Sequence, residues 1–104
     1  MKKLFGSLTV AAMLLSFGTV ETIASPQQVS IATNPVGMAL YLTGASLSEM
    51  VKKDFGNVVH VNVEATKGGL DNANLFIKHE VELGFVTSDI ATELYTGTGR
   101  YKGK

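Results

Sequence analysis

The chain has no cysteine, which excludes a disulfide scaffold. It has no surplus of charge: nine Lys and Arg balance nine Asp and Glu. Nothing in that balance suggests nucleic acid or an anionic membrane surface as a partner. It has no uninterrupted apolar run of the about 20 residues needed to span a bilayer. Its two histidines, His60 and His79, are not at metal-ligand spacing, and no third ligand accompanies them. There is no Gly-x-Ser-x-Gly and no defensible Ser/His/Asp arrangement. Thr66-Lys67-Gly68-Gly69 lacks the spacing of a nucleotide-binding loop. Gly97-x-Gly99 follows a helical stretch rather than a strand, so it is not a dinucleotide fingerprint. The chain is therefore not expected to be an enzyme, or to hold a metal or cofactor.

What is present begins with an export signal. Met1-Lys2-Lys3 is a short basic segment, residues 4–17 are apolar and small, and Thr22-Ile23-Ala24 supplies the small residues a signal peptidase reads. Residues 1–24 are expected to be a cleaved signal peptide. No cysteine follows, so a lipid anchor is excluded, and no stable membrane anchor remains after cleavage. Cleavage removes Lys2, Lys3 and Glu21, which leaves seven basic and eight acidic residues and a net charge of −1. The remaining residues 25–104 form a small domain that only its own core can stabilise, and so short a chain is marginal for that.

The mature chain alternates. Val29-Ser30-Ile31-Ala32-Thr33 reads as a strand ended by Asn34-Pro35-Val36-Gly37. Leu40, Leu47, Met50, Val51 and Phe55 recur at helical spacing over residues 40–55. Lys52 and Lys53 suit the last turn of that helix, and Gly56-Asn57 closes it. Val59, Val61, Val63 and Ala65 alternate with His60, Asn62 and Glu64, the period of a strand with one buried face. His60 is expected to point outward. After the turn Thr66-Lys67-Gly68-Gly69, a second helix over residues 70–78 is expected to bury Leu70, Ala73, Phe76 and Ile77. His79 at its end meets free carbonyls. The continuous run Leu83-Gly84-Phe85-Val86 predicts a strand covered on both faces. Ser88-Asp89 opens a third helix through Tyr95, and residues 96–104 read as a polar, glycine-rich loop without a closing element.

Strand and helix alternating three times predict an α/β fold: a three-stranded parallel βαβαβα unit, strand order 2-1-3, with right-handed crossovers. Ligands of such open sheets bind beyond the carboxyl ends of the strands. Three loops, residues 34–39, 66–70 and 87–90, should converge there. Each precedes a helix N-terminus, where unpaired N–H groups and about half a positive charge attract anions. Gly68 and Gly69 let the backbone approach a ligand, or simply make a turn. Thr66, Thr87 and Ser88 offer hydroxyls, and Ser88 is alternatively an ordinary helix cap. Asp89 either suits a helix start or binds a cationic or hydroxyl group. Tyr41 is either a pocket wall or a core residue.

Four stretches resemble a known family. They are Val29-Ser30-Ile31-Ala32-Thr33-Asn34-Pro35-Val36-Gly37, Val61-Asn62-Val63-Glu64-Ala65-Thr66-Lys67-Gly68-Gly69, Glu80-Val81-Glu82-Leu83-Gly84-Phe85-Val86-Thr87-Ser88-Asp89 and Tyr95-Thr96-Gly97-Thr98-Gly99. In this order and spacing the chain resembles the TAXI family of TRAP transporter substrate-binding receptors, across essentially the whole mature segment. The resemblance implies a periplasmic protein with part of one lobe of a type II periplasmic binding protein. It also implies a small carboxylate or amino-acid ligand and a TRAP membrane subunit as partner. It places ligand contacts near Gly37 and Tyr41, at Thr66, Gly68 and Gly69, and at Thr87, Ser88 and Asp89.

There are departures. The family often has Gly-Gly-Thr-Tyr-Tyr where this chain has Gly37-Met38-Ala39-Leu40-Tyr41, so only the first glycine and the last tyrosine match. Lys67 stands where glycine is common, and either adds a cation to an anion site or points into solvent. Thr87 stands where glutamine is common. Family members are considerably longer and have a second lobe. The chain is therefore expected to be a truncated receptor. The alternative is a free-standing small exported binding module, paired with a second copy to cover its sheet. A small exported enzyme has no catalytic constellation behind it.

Overall fold

A computed structural model describes Thr19 and residues 24–104. The signal-peptide reading falls almost entirely outside the described residues. The elements are β1 (Gln27–Ala32), α1 (Ala39–Phe55), β2 (Val59–Glu64), α2 (Gly69–Ile77), β3 (Leu83–Gly84), α3 (Ser88–Thr96) and a final 3-10 turn (Gly99–Tyr101). The three strands are parallel in the order β2-β1-β3, as the alternating pattern predicts. Among the described residues no helix is long and apolar enough to cross a membrane.

The two inner pairings differ in length. β1 pairs with β2 from Gln27↔Val59 to Ala32↔Glu64. With β3 it pairs only at Ile31↔Leu83 and Ala32↔Gly84. Glu82 extends this short ladder by a side chain: its carboxylate accepts the Ser30 amide at 2.6 Å, while its own amide donates to the Ser30 carbonyl at 3.1 Å. The expected strand over residues 83–86 is thus shorter, because Phe85 and Val86 turn away toward α3 after one last bond from the Phe85 amide to the Ala32 carbonyl. Nor is it covered on both faces, since Leu83 is 47% exposed.

Neighbouring strand residues face opposite sides, and the two crossover helices take one side each. α1 lies on the side of Ile31 and Val63, α2 on the side of Ala32 and Gly84. Val59, Val61 and Val63 are half-buried under α1, and His60, Asn62 and Glu64 are exposed on the reverse. The period-two reading of this strand holds for that reason.

The helical faces need correction. Met50 and Phe55 are 65% and 58% exposed, and Leu40 and Leu47 are exposed as well. The contact with the sheet runs instead through Gly44, the one fully buried residue of α1. A Cβ there would come within 2.7 Å of the Thr33 methyl, so the helix axis rides close because a side chain is missing. Ser48 on the same face donates to the Val61 carbonyl at 2.6 Å. In α2, Ala73 is buried and Ile77 half-buried, but Leu70 and Phe76 are exposed.

The last segment also departs from expectation. Gly97 adopts left-handed backbone (φ 64) and reverses the chain after α3. The following turn then drives Tyr101, only 3% exposed, into a cluster with Ala73 and Ile90, flanked by Ile77, Val86 and Leu94. A single aromatic in a polar stretch has no periodicity to reveal it, yet burying it closes the gap between α2 and α3.

The end of α2 is a Schellman turn. The His79 amide donates to the Phe76 carbonyl at 3.0 Å and the Glu80 amide to the Leu75 carbonyl at 2.9 Å, with His79 at φ 58. A side chain is disfavoured in that conformation. His79→Gly is expected to stabilise the fold by about 0.5–1 kcal/mol, read as a rise in the urea midpoint at unchanged slope.

The two fully buried side chains of greatest volume are polar, Asn72 and Thr33. The Asn72 amide donates to the Thr33 carbonyl at 2.6 Å and to the Phe85 carbonyl at 2.7 Å. Its oxygen accepts from the Thr66 hydroxyl at 2.5 Å. Thr33 in turn binds the Glu64 carbonyl through its amide and its hydroxyl, at 3.0 and 2.8 Å. One side chain therefore ties the carboxyl ends of all three strands together. Asn72→Ala is expected to cost about 2–3 kcal/mol, because it leaves the Phe85 carbonyl without its donor and opens a cavity, while the Thr66 hydroxyl, 3.0 Å from the Thr33 carbonyl, can still serve that one. Asn72→Leu, similar in size, is expected to be no better. A Leu variant with the wild-type unfolding midpoint would refute this account.

Candidate functional site

The carboxyl edge of the sheet carries the three predicted loops, each built differently. In the first, Gly37 takes a positive φ of 86 at an exposed turn tip. The turn lets Asn34 reach forward, and its side-chain oxygen accepts the Tyr41 amide at 2.8 Å. The first turn of α1 is thereby capped from five residues before the helix starts. Tyr41 itself is half-buried.

In the second loop, the Thr66 hydroxyl is turned inward. Asn72 already donates to the Thr33 carbonyl, so the single Thr66 proton is best used by the Asn72 oxygen. The Thr66 oxygen accepts the Gly68 amide at 3.2 Å. The Lys67 amide donates to Asp71 at 3.2 Å. Gly68 precedes α2 in a conformation (φ 123) that side chains rarely adopt, and no side chain caps this helix. Its first-turn amides are left for solvent or a ligand. A Cβ on Gly69 would meet Ile90 Cδ1 at 3.2 Å, and the Thr87 amide lies 3.8 Å from the same point. The absence of a side chain at 69 is what lets the start of α2 lie against the start of α3.

In the third loop, Thr87 precedes α3 and its hydroxyl binds the Asp89 carboxylate. Arg100, from the final turn, lies 3.5 Å from the other Asp89 oxygen and 3.7 Å from Glu93. The Thr87 hydroxyl first, then the Ile90 amide, hold the Asp89 carboxyl below its ordinary range, and Arg100 adds a smaller share. Ser88 is exposed at the first helical position; the capping position before it belongs to Thr87.

The second and third loops meet. Lys67, Gly68, Gly69, Leu70, Thr87 and Ile90 are among the residues that line one cleft of about 480 Å³. Gly37 and Tyr41 are not in that lining, and Thr66 faces the framework beneath it. Ser88 and Asp89 are not in that lining either. A smaller apolar groove beside β3, lined by Ala73, Phe76, Leu83, Val86 and Leu94 among others, contains none of the predicted residues. Asn72 and Arg100 were missed by sequence reasoning. Asn72 looks like any polar helix residue, and Arg100 lies in the segment read as a loop. Among the described residues no group of three or more His, Asp or Glu could hold a metal ion.

A parallel α/β unit with a cleft at the carboxyl ends of its strands is the architecture of part of a binding-protein lobe. The chain belongs to the NMT1-like family, whose model matches residues 31–104. That is a periplasmic-binding-type family related to solute-binding proteins, and it assigns a solute-binding role with a small-molecule ligand. No curated protein matches the chain.

The order of the causes acting on Asp89 can be measured. In an NMR titration its carboxyl is expected to have a midpoint below that of an unstructured Asp. Thr87→Val should raise the midpoint more than Arg100→Gln does. Because the folded value is the lower one, the stabilisation Asp89 gives is complete above the unfolded value. It is lost as pH falls through the folded value. An equal or larger effect of Arg100→Gln would contradict this order.

Proposed function

We propose that the chain supplies the ligand-facing edge of a periplasmic substrate receptor of the TAXI class, serving a TRAP-type membrane transporter. Its ligand is a small carboxylate or amino-acid-like solute, bound and passed on rather than chemically changed. The four stretches that resemble TAXI receptors support this reading, and its cleft lies where the second and third of them meet.

One observation carries the binding chemistry. The first turn of α2 has no side-chain cap and opens into the cleft. The start of α1 is served by the chain's own oxygen, from Asn34; the start of α3 has no side-chain cap either, but its first two residues, Ser88 and Asp89, are not in the cleft lining. The amides of Gly69 and Leu70 therefore offer the cleft its main anion-binding donors, with Gly68 and Gly69 leaving the approach clear. Lys67 lines the same cleft and adds a cation, which the Asp71 carboxylate in the same lining offsets.

Proline tests this directly. Early in the first turn of a helix it removes one N–H that no helix carbonyl uses, and the residue it restricts here is a glycine, the most permissive one. Leu70→Pro should keep the wild-type circular dichroism spectrum and weaken the binding of glutamate or succinate about tenfold, as expected for one charge-assisted hydrogen bond. Calorimetric titration of the full chain measures it. An unchanged affinity in the proline variant would place the ligand elsewhere, and failure of every small carboxylate to bind would end the proposal.

A further inference from the structure

Thr87 lines the cleft, and the proton of its hydroxyl is already used. A threonine hydroxyl has one proton to donate and two lone pairs to accept. An ionised carboxylate is an acceptor only, so in the contact between Thr87 and Asp89 the threonine must be the donor. Arg100 lies 3.5 Å from the second Asp89 oxygen and holds the carboxylate in place. Arg100 is itself fixed by Glu93, which accepts its main-chain amide at 3.1 Å and lies 3.7 Å from its Nε. Gly99 permits this packing: a Cβ there would fall 2.7 Å from the Glu93 carboxylate. The arrangement runs from the final turn, through α3, to the wall of the cleft.

What Thr87 can still offer a ligand is therefore an acceptor. A ligand carboxylate gains nothing from it, because two acceptors would face each other. Thr66 cannot substitute, since its proton is directed at Asn72 beneath the cleft. We propose that Thr87, set by Asp89 and Arg100, is a specificity-determining residue. It favours solutes that carry a donor beside the carboxylate, a hydroxyl or an ammonium, over those with a carbonyl at that position. This rests on the carboxylate reading of the cleft. It follows from complementarity: an acceptor at the cleft gains a hydrogen bond from the hydroxy or amino compound and none from the carbonyl one.

The test uses matched probes with the full chain: lactate against pyruvate, and 2-hydroxyglutarate against 2-oxoglutarate, by calorimetry. In whichever pair binds, the hydroxy acid is expected to bind about fivefold more tightly, the worth of one exposed hydrogen bond. Thr87→Val should bring the ratio close to one, and Thr87→Ser should keep it. Asp89→Ala releases the Thr87 proton, so the keto acid should gain on the hydroxy acid. A merely structural role for Asp89 would not produce that gain. A keto acid bound as well as its hydroxy partner in the wild type, or a preference that survives Thr87→Val, overturns the inference and leaves the carboxylate reading standing. If neither member of either pair binds, and glutamate and succinate do not bind, the carboxylate reading falls and takes this inference with it.

Discussion

The buried amide of Asn72 is the constraint on which the rest of the structure depends. It lies on α2, fully out of solvent, and reaches the chain just beyond all three strands. A short parallel sheet has little to hold its carboxyl ends together, and here β1 and β3 share only two register pairs. The amide supplies the missing link, because one side chain carries two donors and an acceptor in a fixed plane. Its burial would be costly if any of these were unmet. Among the described residues, no buried side-chain polar atom is left without a partner.

The binding edge inherits its geometry from this node. Thr66 is turned inward by Asn72, and the Gly68 amide follows Thr66. The start of α2 is therefore placed by bonds beneath it and left open above. Gly69 lets α3 come alongside, and Tyr101 fills the space between the two helices further down. The cleft is the gap left where two helix starts meet, with the Ile90 side chain lying against the bare Gly69. Neither α2 nor α3 has a side-chain cap, and it is the start of α2 that lines the cleft.

Much of the fold was legible in the residues. The alternation of Val59, Val61 and Val63 with His60, Asn62 and Glu64 reported which face α1 covers, because pleat and burial share a period of two. The order 2-1-3 followed from alternating elements and the handedness of crossovers. The helical faces were less legible. Leu40, Leu47, Met50 and Phe55 have the right spacing, but α1 meets the sheet through Gly44, and a missing side chain leaves no hydrophobic signal. Tyr101 and Arg100 were hidden for a related reason. Each acts alone in a polar stretch, and a single residue has no pattern.

The candidate residues divide along the same line. Gly68, Gly69 and Thr87 share one cleft, as the loop positions implied; Gly37 and Tyr41 are outside its lining, and Thr66 belongs to the framework. The sequence by itself determined the element order, the parallel pairing and the edge of the sheet where a ligand could bind. These depend on local periodicity and chain connectivity. Only the tertiary structure decided which helix start lines the cleft, which hydroxyl has a proton to give, and which polar side chain holds the strands together. Those depend on hydrogen bonds between residues far apart in the chain, whose partners and directions no local pattern records.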